Sequence, residues 1–246
     1  MKTKKYQPRF YRDWVKQKDL ITKRIVVGET DISVSSDTAV DEIFLKNTIL
    51  VYRKQIEDYI LTQKVFLTSL KPIDVSNDAP GIVKDMACAA KKADVGPMAG
   101  VAGAIVEYLA KDLKDKTEEL IIENGGDIFL KSKKKRLIGI YAGESKLSKR
   151  LILEIDQDKT PVGICTSSGT VGHSLSFGIT DATIVLAGSP ILADAVATAS
   201  GNLVKKVEDI EKAIGFAKSI KDVRAVLIVV GDLMSAWGDL KIDKAK

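Results

Sequence analysis

Apolar residues recur along the chain with two different spacings. In residues 23–37 they alternate with polar residues, a pattern that is typical of strands. In residues 40–63 they recur every three or four positions for about six turns, which predicts a long amphipathic helix. We expect the apolar face of this helix to pack on a sheet. Its members are Ile43, Phe44, Ile49, Leu50, Ile56, Tyr59 and Ile60.

Strand patterns dominate the second half of the chain. Before them, two predicted helices at 81–93 and 101–115 meet at the glycine-rich turn 94–100. Most of the later strands follow one another directly, and helices are predicted only before the last one. The strands are 120–130, 136–143, 149–156, 162–168, 181–188 and 224–232, and the helices are 189–206 and 207–219.

This succession of strands predicts an α+β fold, a mostly antiparallel sheet flanked by helices, rather than a doubly wound parallel sheet. The chain has no repeat, low-complexity tract or linker, so we expect a single domain over residues 1–246 with a basic arm at about 1–20. No apolar run approaches the roughly 18 residues that cross a bilayer, and the arm lacks an apolar signal core. The sequence therefore predicts a cytoplasmic protein with no membrane partner and leaves a homodimer open.

Positive charge exceeds negative charge, with a formal net charge of +5. The only dense basic run, residues 131–136, lies between two apolar segments and is interpreted as a solvated hairpin turn. The remaining charge is scattered, which disfavours nucleic acid as a partner. Two cysteines are too few for a disulfide framework, so Cys88 and Cys165 are expected to be free thiols, with Cys88 buried on its helix.

Asp194 and Thr198 are four residues apart in a predicted helix that begins with Ser189 at the N-cap and Pro190 in the first turn. At that spacing the carboxylate and the hydroxyl lie on one face of the helix. Both are oxygen ligands of the kind that Mg²⁺ takes beside a phosphate. The helix dipole alone also favours an acidic residue near a helix start, so a structural role stays open.

A glycine pair lies between two predicted strand segments. Gly125 and Gly126 let the backbone adopt positive φ or approach a ligand closely, and Asn124 and Asp127 offer polar contacts on either side. This combination favours a ligand-binding turn over a simple hairpin bulge.

A third small polar turn, residues 166–169, follows the strand segment VGIC at 162–165 and is typical of an anion-binding nest, although an ordinary turn would have the same composition. His173 is the only histidine and the natural general-base candidate, because its unperturbed pKa lies near neutrality. A structural hydrogen bond is the alternative role for His173. Cys165 precedes the turn and is a candidate nucleophile if nearby N–H donors lower its pKa.

In this order, four segments resemble the ApbE superfamily over about residues 90–205, and in particular a poorly characterised branch of it. The segments are DVGPMAGVAG, ENGGDIFL, GICTSSGTVGHS and SPILADAVATA. The resemblance implies an ApbE-like fold. Well-studied members are magnesium-dependent flavin transferases, which bind FAD and move its FMN portion onto a threonine of an acceptor protein.

The resemblance also implies roles for single residues. The matching positions are Asp194 and Thr198 for the metal; Asn124, Gly125, Gly126 and Asp127 for the flavin-side turn; and Thr166, Ser167, Ser168 and Gly169 for the second turn. His173 matches the family's histidine. In the transferases an Asp-Pro pair soon follows that histidine, whereas here Asp181 is eight positions on and has no proline beside it. The basic residue of the family's early glycine turn is also missing from 94–103.

Three functions follow as hypotheses. In the first, the protein binds FAD, FMN or a related nucleotide with Mg²⁺ and is a divergent FMN transferase acting on an acceptor protein. In the second, Cys165 is a thiolate or persulfide carrier in a sulfur-handling protein. In the third, the pocket only binds a flavin or nucleotide, without catalysis.

Overall fold

An eight-stranded antiparallel sheet forms the centre of the protein, beside a separate three-stranded sheet. The computed structural model describes residues 17–171 and 176–244. The strands are β1 Ile21–Val27, β2 Thr30–Ser36, β3 Leu120–Asn124, β4 Asp127–Lys131, β5 Arg136–Gly139, β6 Leu151–Ile155, β7 Val162–Ser167, β8 Ala182–Ala187, β9 Val223–Val230, β10 Leu233–Gly238 and β11 Lys241–Lys244. The large sheet has the order β1-β2-β3-β4-β7-β8-β9-β10, and the small sheet has the order β11-β6-β5.

Six helices accompany the sheets in the described part of the chain, and side-chain caps fix two of their starts. The helices are α1 Glu42–Thr62, α2 Val65–Thr68, α3 Gly81–Ala93, α4 Val101–Leu113, α5 Pro190–Leu203 and α6 Ile210–Ser219. Asp41 caps α1 by accepting a hydrogen bond from the Phe44 N–H at 2.7 Å. Ser189 caps α5 by accepting from the Leu192 N–H at 3.3 Å, as its sequence position predicts.

Side chains alternate between the two faces of the large sheet, and each face has its own apolar core. One face packs on the helices, through residues such as Ile122, Phe129 and Val185. The opposite face packs on the small sheet, through residues such as Ile164 and Leu227. The sheet is therefore covered on both sides, and the predicted α+β fold with its mostly antiparallel sheet is confirmed.

The long helix is where it was predicted, but its buried face differs from the expected one. Leu45, Ile49 and Ile56 are buried, whereas Ile43 is 70% exposed and Leu50 is 44% exposed. The helix lies over β1 and beside α3 and α4, so only a narrow stripe of it contacts the core. The spacing of the apolar residues predicts the helix correctly, but not all of these side chains face the core.

The basic run is not a hairpin turn, because β4 and β5 belong to different sheets. It crosses from one sheet to the other, and its last member, Arg136, is buried. Its guanidinium donates to Glu119 at 2.7 Å and to Asp19 at 2.8 Å. These ion pairs hold the crossover against the residues that precede β1, which the charge pattern alone did not indicate.

Two strands at the C-terminal end, β10 and β11, were not predicted. They connect the large sheet to the small one, since β10 pairs with β9 and β11 pairs with β6. Most of the predicted basic arm, residues 1–16, lies outside the described residues. Within the described residues, no helix is both long enough and apolar enough to cross a membrane.

Candidate functional site

The glycine pair forms a two-residue turn between β3 and β4. Asn124 and Asp127 are paired across the strands, and Gly125 and Gly126 have φ values of 69° and 104°. Positive φ at both central residues suits the right-handed twist of a hairpin and is open to glycine at little cost. The turn is further tied by Glu123, whose Oε1 accepts from the Gly126 N–H at 2.9 Å. The two glycines are therefore required by the turn itself.

The side chains of Asn124 and Asp127 point to the helix-covered face and are buried. The Asn124 amide donates to the Ala102 carbonyl at 3.5 Å, and Asp127 Oδ1 accepts from the Thr166 N–H at 3.3 Å. The hairpin is thus joined to the start of α4 on one side and to β7 on the other.

Asp194 projects from α5 to the N-terminal end of α4. Its Oδ2 accepts from the Gly103 N–H at 2.9 Å, and the Ala102 N–H also stabilises the carboxylate. These amides belong to the first turn of α4 and have no acceptor within their own helix. Asp194 therefore caps a neighbouring helix. Thr198, one turn further along α5, is half-buried.

Asp127 and Asp194 form a buried pair of carboxyl groups, called the acidic pair below. Burial raises the pKa of the Asp194 carboxyl to about 7, against the lowering effect of the Gly103 and Ala102 amides. Burial first, and then the charge of Asp194, raise the pKa of Asp127 well above its usual value. Two carboxylates that resist ionisation together favour either a shared proton or a cation between them.

A groove of about 1180 Å³ begins at the glycine hairpin and follows the end of the sheet. Met98, Val101 and Ala102 form its wall on the helix side. On the other face the groove runs between the large sheet and the small one. Its apolar residues there are Ile121, Ile128, Ile138, Ile140, Leu153, Ile164 and Ile184. A groove of this size with both apolar and polar lining is a candidate ligand site.

The structure brings most of the sequence-predicted ligand contacts to this groove. Residues 124–127, Thr166 and Ser168 line it, whereas Ser167 and Gly169 do not. Asp194 and Thr198 do not line it either, although Asp194 accepts from Gly103 and its charge raises the pKa of Asp127. Of the two residues predicted to bind a metal, Asp194 is therefore near the glycine hairpin.

The anion nest predicted for the small polar turn is not formed. The Gly169 N–H donates to the Thr180 carbonyl at 2.8 Å. The Thr170 and Val171 N–H groups donate to the Ser168 hydroxyl at 3.1 and 2.9 Å. These three donors already have acceptors in the protein, so they are not directed at an anion.

His173 lies outside the described residues. Val171, two positions earlier, lines the groove. Asp181 is engaged elsewhere, because it accepts from the Thr170 hydroxyl at 2.8 Å and from the Gly231 N–H at 2.7 Å. It ties the polar turn to the β9–β10 turn.

Both cysteine predictions are corrected. Cys88 is exposed rather than buried, and Cys165 is completely buried within β7. The Cys165 thiol donates to the Pro190 carbonyl at 3.3 Å. Burial, followed by the charges of Asp127 and Asp194, raises its pKa well above the usual value, which is the opposite of the activation expected. Cys165 is therefore not suited to be a nucleophile, so the sulfur-handling hypothesis no longer has a reactive thiolate.

We expect Cys88 to be alkylated faster than Cys165 in the folded protein at pH 7.5, by roughly 100-fold or more, because only Cys88 is accessible and Cys165 is held as a thiol. Peptide mass spectrometry after timed iodoacetamide treatment measures both rates. The same treatment in denaturant is the control and should label both equally. Comparable rates in the folded state would contradict the burial of Cys165.

The donor set at the acidic pair fits a hard divalent cation. Within residues 17–171 and 176–244, no group of three or more His, Cys, Asp or Glu side chains could hold a metal ion. A cation here would be held by the carboxylates with hydroxyl, backbone, water or ligand oxygens, which is how Mg²⁺ binds beside phosphates. It would also offset the repulsion between the carboxylates.

A family model described as AbpE bacteria matches residues 12–236, which is most of the chain. The chain therefore belongs to this family. The ApbE resemblance of the sequence is confirmed.

Relatives of this ApbE-like chain include UPF0280 proteins from Methanococcus and Methanocaldococcus species. One from Methanococcus aeolicus is 44% identical over 226 residues, which covers 90% of this chain and 91% of the relative. Another from Methanocaldococcus jannaschii is 44% identical over 228 residues, covering 89% and 91%. These relatives agree with the predicted poorly characterised branch.

Solved ApbE structures share the fold. The ApbE protein from Thermotoga maritima has a TM-score of 0.62 at 11% identity, covering 88% of this chain and 96% of that one. A mutant of the flavin transferase ApbE from Vibrio cholerae has a TM-score of 0.57 at 14% identity, covering 89% and 96%. At this identity the likeness concerns the fold.

The sequence reasoning missed the residues that hold the acidic pair in place. The first-turn amides of α4 anchor Asp194, and Glu107, one turn further on, contacts the start of α5. The glycines of GVAG were a usable signal, since a glycine in the first turn of a helix allows another chain segment to approach closely.

Proposed function

We propose that this ApbE-like protein binds a flavin nucleotide, FAD or FMN, together with Mg²⁺. The observation that carries the proposal is the buried pair Asp127 and Asp194, of which Asp127 lines a large groove. Such a pair is costly without a counter-charge and suits a cation that bridges to phosphate. Asp194, Thr198 and Asp127 would hold the Mg²⁺, which would supply positive charge to the ligand's phosphates.

The arginine side chains of the groove support a role for the metal. Arg24 and Arg53 line it, but Arg24 is paired with Asp31 at 2.9 Å and Arg53 with Glu29 and Glu57, both at 2.8 Å. The charges of these arginines are thus already offset by carboxylates. Lys18 also lines the groove, and a divalent cation would add to its charge in holding a diphosphate.

The shape and lining of the groove suit the flavin. Its volume of about 1180 Å³ exceeds the ~300–1,000 Å³ common for small-molecule sites, so a dinucleotide is a suitable size of ligand. The isoleucine-rich part between the two sheets offers apolar surface for a flat ring, and the hairpin end offers polar contacts. The fold shared with the flavin transferase ApbE supports the same ligand class.

A divergent FMN transfer would need little covalent chemistry from the protein. The hydroxyl oxygen of an acceptor would bond to the phosphorus on the riboflavin side of FAD. The phosphoanhydride bond would break, AMP would leave, and the hydroxyl proton would pass to a base, for which His173 is the candidate. Catalysis would come from positioning and charge stabilisation.

We expect FAD to bind at least about tenfold more tightly with 5 mM Mg²⁺ than with EDTA, because the acidic pair repels phosphate until a cation lies between them. Isothermal titration calorimetry measures both constants. Riboflavin, which has no phosphate, is the matched ligand and should be indifferent to Mg²⁺. FAD affinity that is equally indifferent to Mg²⁺ would overturn the metal assignment, and no flavin binding at all would overturn the ligand class.

We expect transfer of FMN to a generic acceptor domain to be weak or absent, because the Asp-Pro partner of the histidine and the early basic residue are missing. The protein is mixed with FAD, Mg²⁺ and the acceptor, and covalent flavin fluorescence and AMP are followed. Turnover lost in His173→Ala but with FAD binding intact would support the base assignment. Robust flavinylation would show that these departures do not matter.

A further inference from the structure

The helices α4 and α5 cap each other where they cross. Asp194 of α5 accepts from the N–H of Gly103 in the first turn of α4. In return, Glu107 of α4 accepts from the Ser189 hydroxyl and from the Ile191 N–H, the latter at 3.3 Å, at the start of α5. Each carboxylate lies at the positive end of the other helix, where the helix dipole favours it.

The two contacts lie on either side of a tight crossing. A Cβ placed on Gly103 would be 2.5 Å from the Pro190 carbonyl oxygen and 2.9 Å from the Asp194 Cβ. Glu107 is one turn beyond Gly103 on α4, and Asp194 is one turn beyond Pro190 on α5. Together with the packing of α5 on β7 and β8, the two contacts fix the direction of the Asp194 and Thr198 side chains.

Both carboxylate oxygens of Glu107 have partners. Its Oε2 makes both contacts to α5, and its Oε1 lies 3.2 Å from the Lys111 ammonium, one turn further along α4. Its side chain is 17% exposed. The lysine holds one oxygen and thereby directs the other at the start of α5.

We infer that Glu107 is a positioning residue for the cation site, acting through α5 on Asp194 and Thr198. This inference rests on the proposed function. Without Glu107, the start of α5 loses its side-chain contact with α4, although α5 still packs on β7 and β8, and the side chains of Asp194 and Thr198 are held less exactly. Outer-shell partners of this kind typically change metal affinity by ~10–100-fold.

The test uses Mn²⁺ as the probe, since bound Mn²⁺ loses its free-ion signal in electron paramagnetic resonance, with Mg²⁺ as competitor. We expect Glu107→Ala to weaken Mn²⁺ binding by about tenfold. Glu107→Gln keeps an acceptor oxygen and should stay within about threefold of wild type. Asp112→Ala is the matched control: Asp112 is on the same helix and also accepts a hydroxyl bond, from Tyr52 at 2.7 Å, but contacts α1 rather than α5.

Thermal melts separate positioning from simple destabilisation, because Asp112→Ala should lower the melting temperature without changing Mn²⁺ affinity. If Glu107→Ala does not fold, Glu107→Asp replaces it, since the shorter side chain falls short of α5. Unchanged Mn²⁺ affinity in folded Glu107 variants overturns the positioning role while the proposed function stands. A wild-type protein that binds no Mn²⁺ or Mg²⁺ overturns both.

Discussion

Asp194→Asn is expected to stabilise the metal-free protein at pH 8 and to abolish its stabilisation by Mg²⁺. The asparagine side chain keeps an oxygen for the Gly103 N–H, so the cap on α4 is retained. What is lost is a buried charge next to Asp127. A change at a binding site that improves stability is expected where function maintains an unfavourable arrangement.

The pH dependence gives the direction of this effect. The folded-state pKa of Asp194 is about 7, above its ordinary value of 3.8. Below pH 3.8 the group is protonated in both states and contributes nothing. Between pH 4 and 7 the unfolded state loses the proton while the folded state keeps it, so stability falls as the pH rises. The loss is complete above pH 7 and is on the order of 4 kcal/mol at most.

Denaturant unfolding at pH 5.5 and pH 8, with EDTA or with 5 mM Mg²⁺, measures this prediction. Wild type should lose stability between the two pH values in EDTA and recover it in Mg²⁺, whereas Asp194→Asn should lose less, since only buried Asp127 still titrates, and should not recover stability in Mg²⁺. Asp58→Asn is the control, since Asp58 is exposed and paired only with Lys54 on the surface of α1. A wild type that is as stable at pH 8 as Asp194→Asn would show that the pair is not strained.

The sequence predicted the fold well because the strongest patterns are local. The six-turn helix, the Ser189 cap and the glycine hairpin each depend on residues within a few positions of one another. The placement of side chains on faces was less reliable. Ile43 and Leu50 follow the helical spacing but are exposed, because the neighbours of α1 cover only one stripe of it.

The chemistry of the candidate site depended on contacts between distant parts of the chain. Cys165 follows an ordinary strand pattern, and nothing local shows that Pro190 and two carboxylates surround it. The spacing of Asp194 and Thr198 indicated a shared helix face, but not that Asp194 caps α4, 91 positions earlier. Such pairings are fixed by the crossing of elements, which a single sequence does not display.

Gly103→Ala is expected to destabilise the protein strongly. The added Cβ would meet the Pro190 carbonyl oxygen at 2.5 Å and the Asp194 Cβ at 2.9 Å. The first contact is with backbone, so α4 and α5 must move apart to relieve it. Overpacking of this kind typically costs about 1–3 kcal/mol, and we expect the upper end, or roughly a 5–10 °C lower melting temperature.

Gly215→Ala provides the matched control for this substitution. Gly215 is also a helical glycine, in α6, but a Cβ placed there has no neighbour within 4 Å. Alanine should therefore stabilise α6 by about 0.5–1 kcal/mol through its better helix propensity. The two variants add the same methyl group and are expected to shift the melting temperature in opposite directions.

Moving α4 away from α5 also displaces the Gly103 N–H from Asp194, so Gly103→Ala should weaken Mn²⁺ binding even in the protein that remains folded. Differential scanning calorimetry and the Mn²⁺ titration together measure both effects. If Gly103→Ala melts like wild type and binds Mn²⁺ equally well, the helices do not cross in contact at this glycine. In that case the mutual capping of α4 and α5 could not hold the acidic pair, and the cation site would need another support.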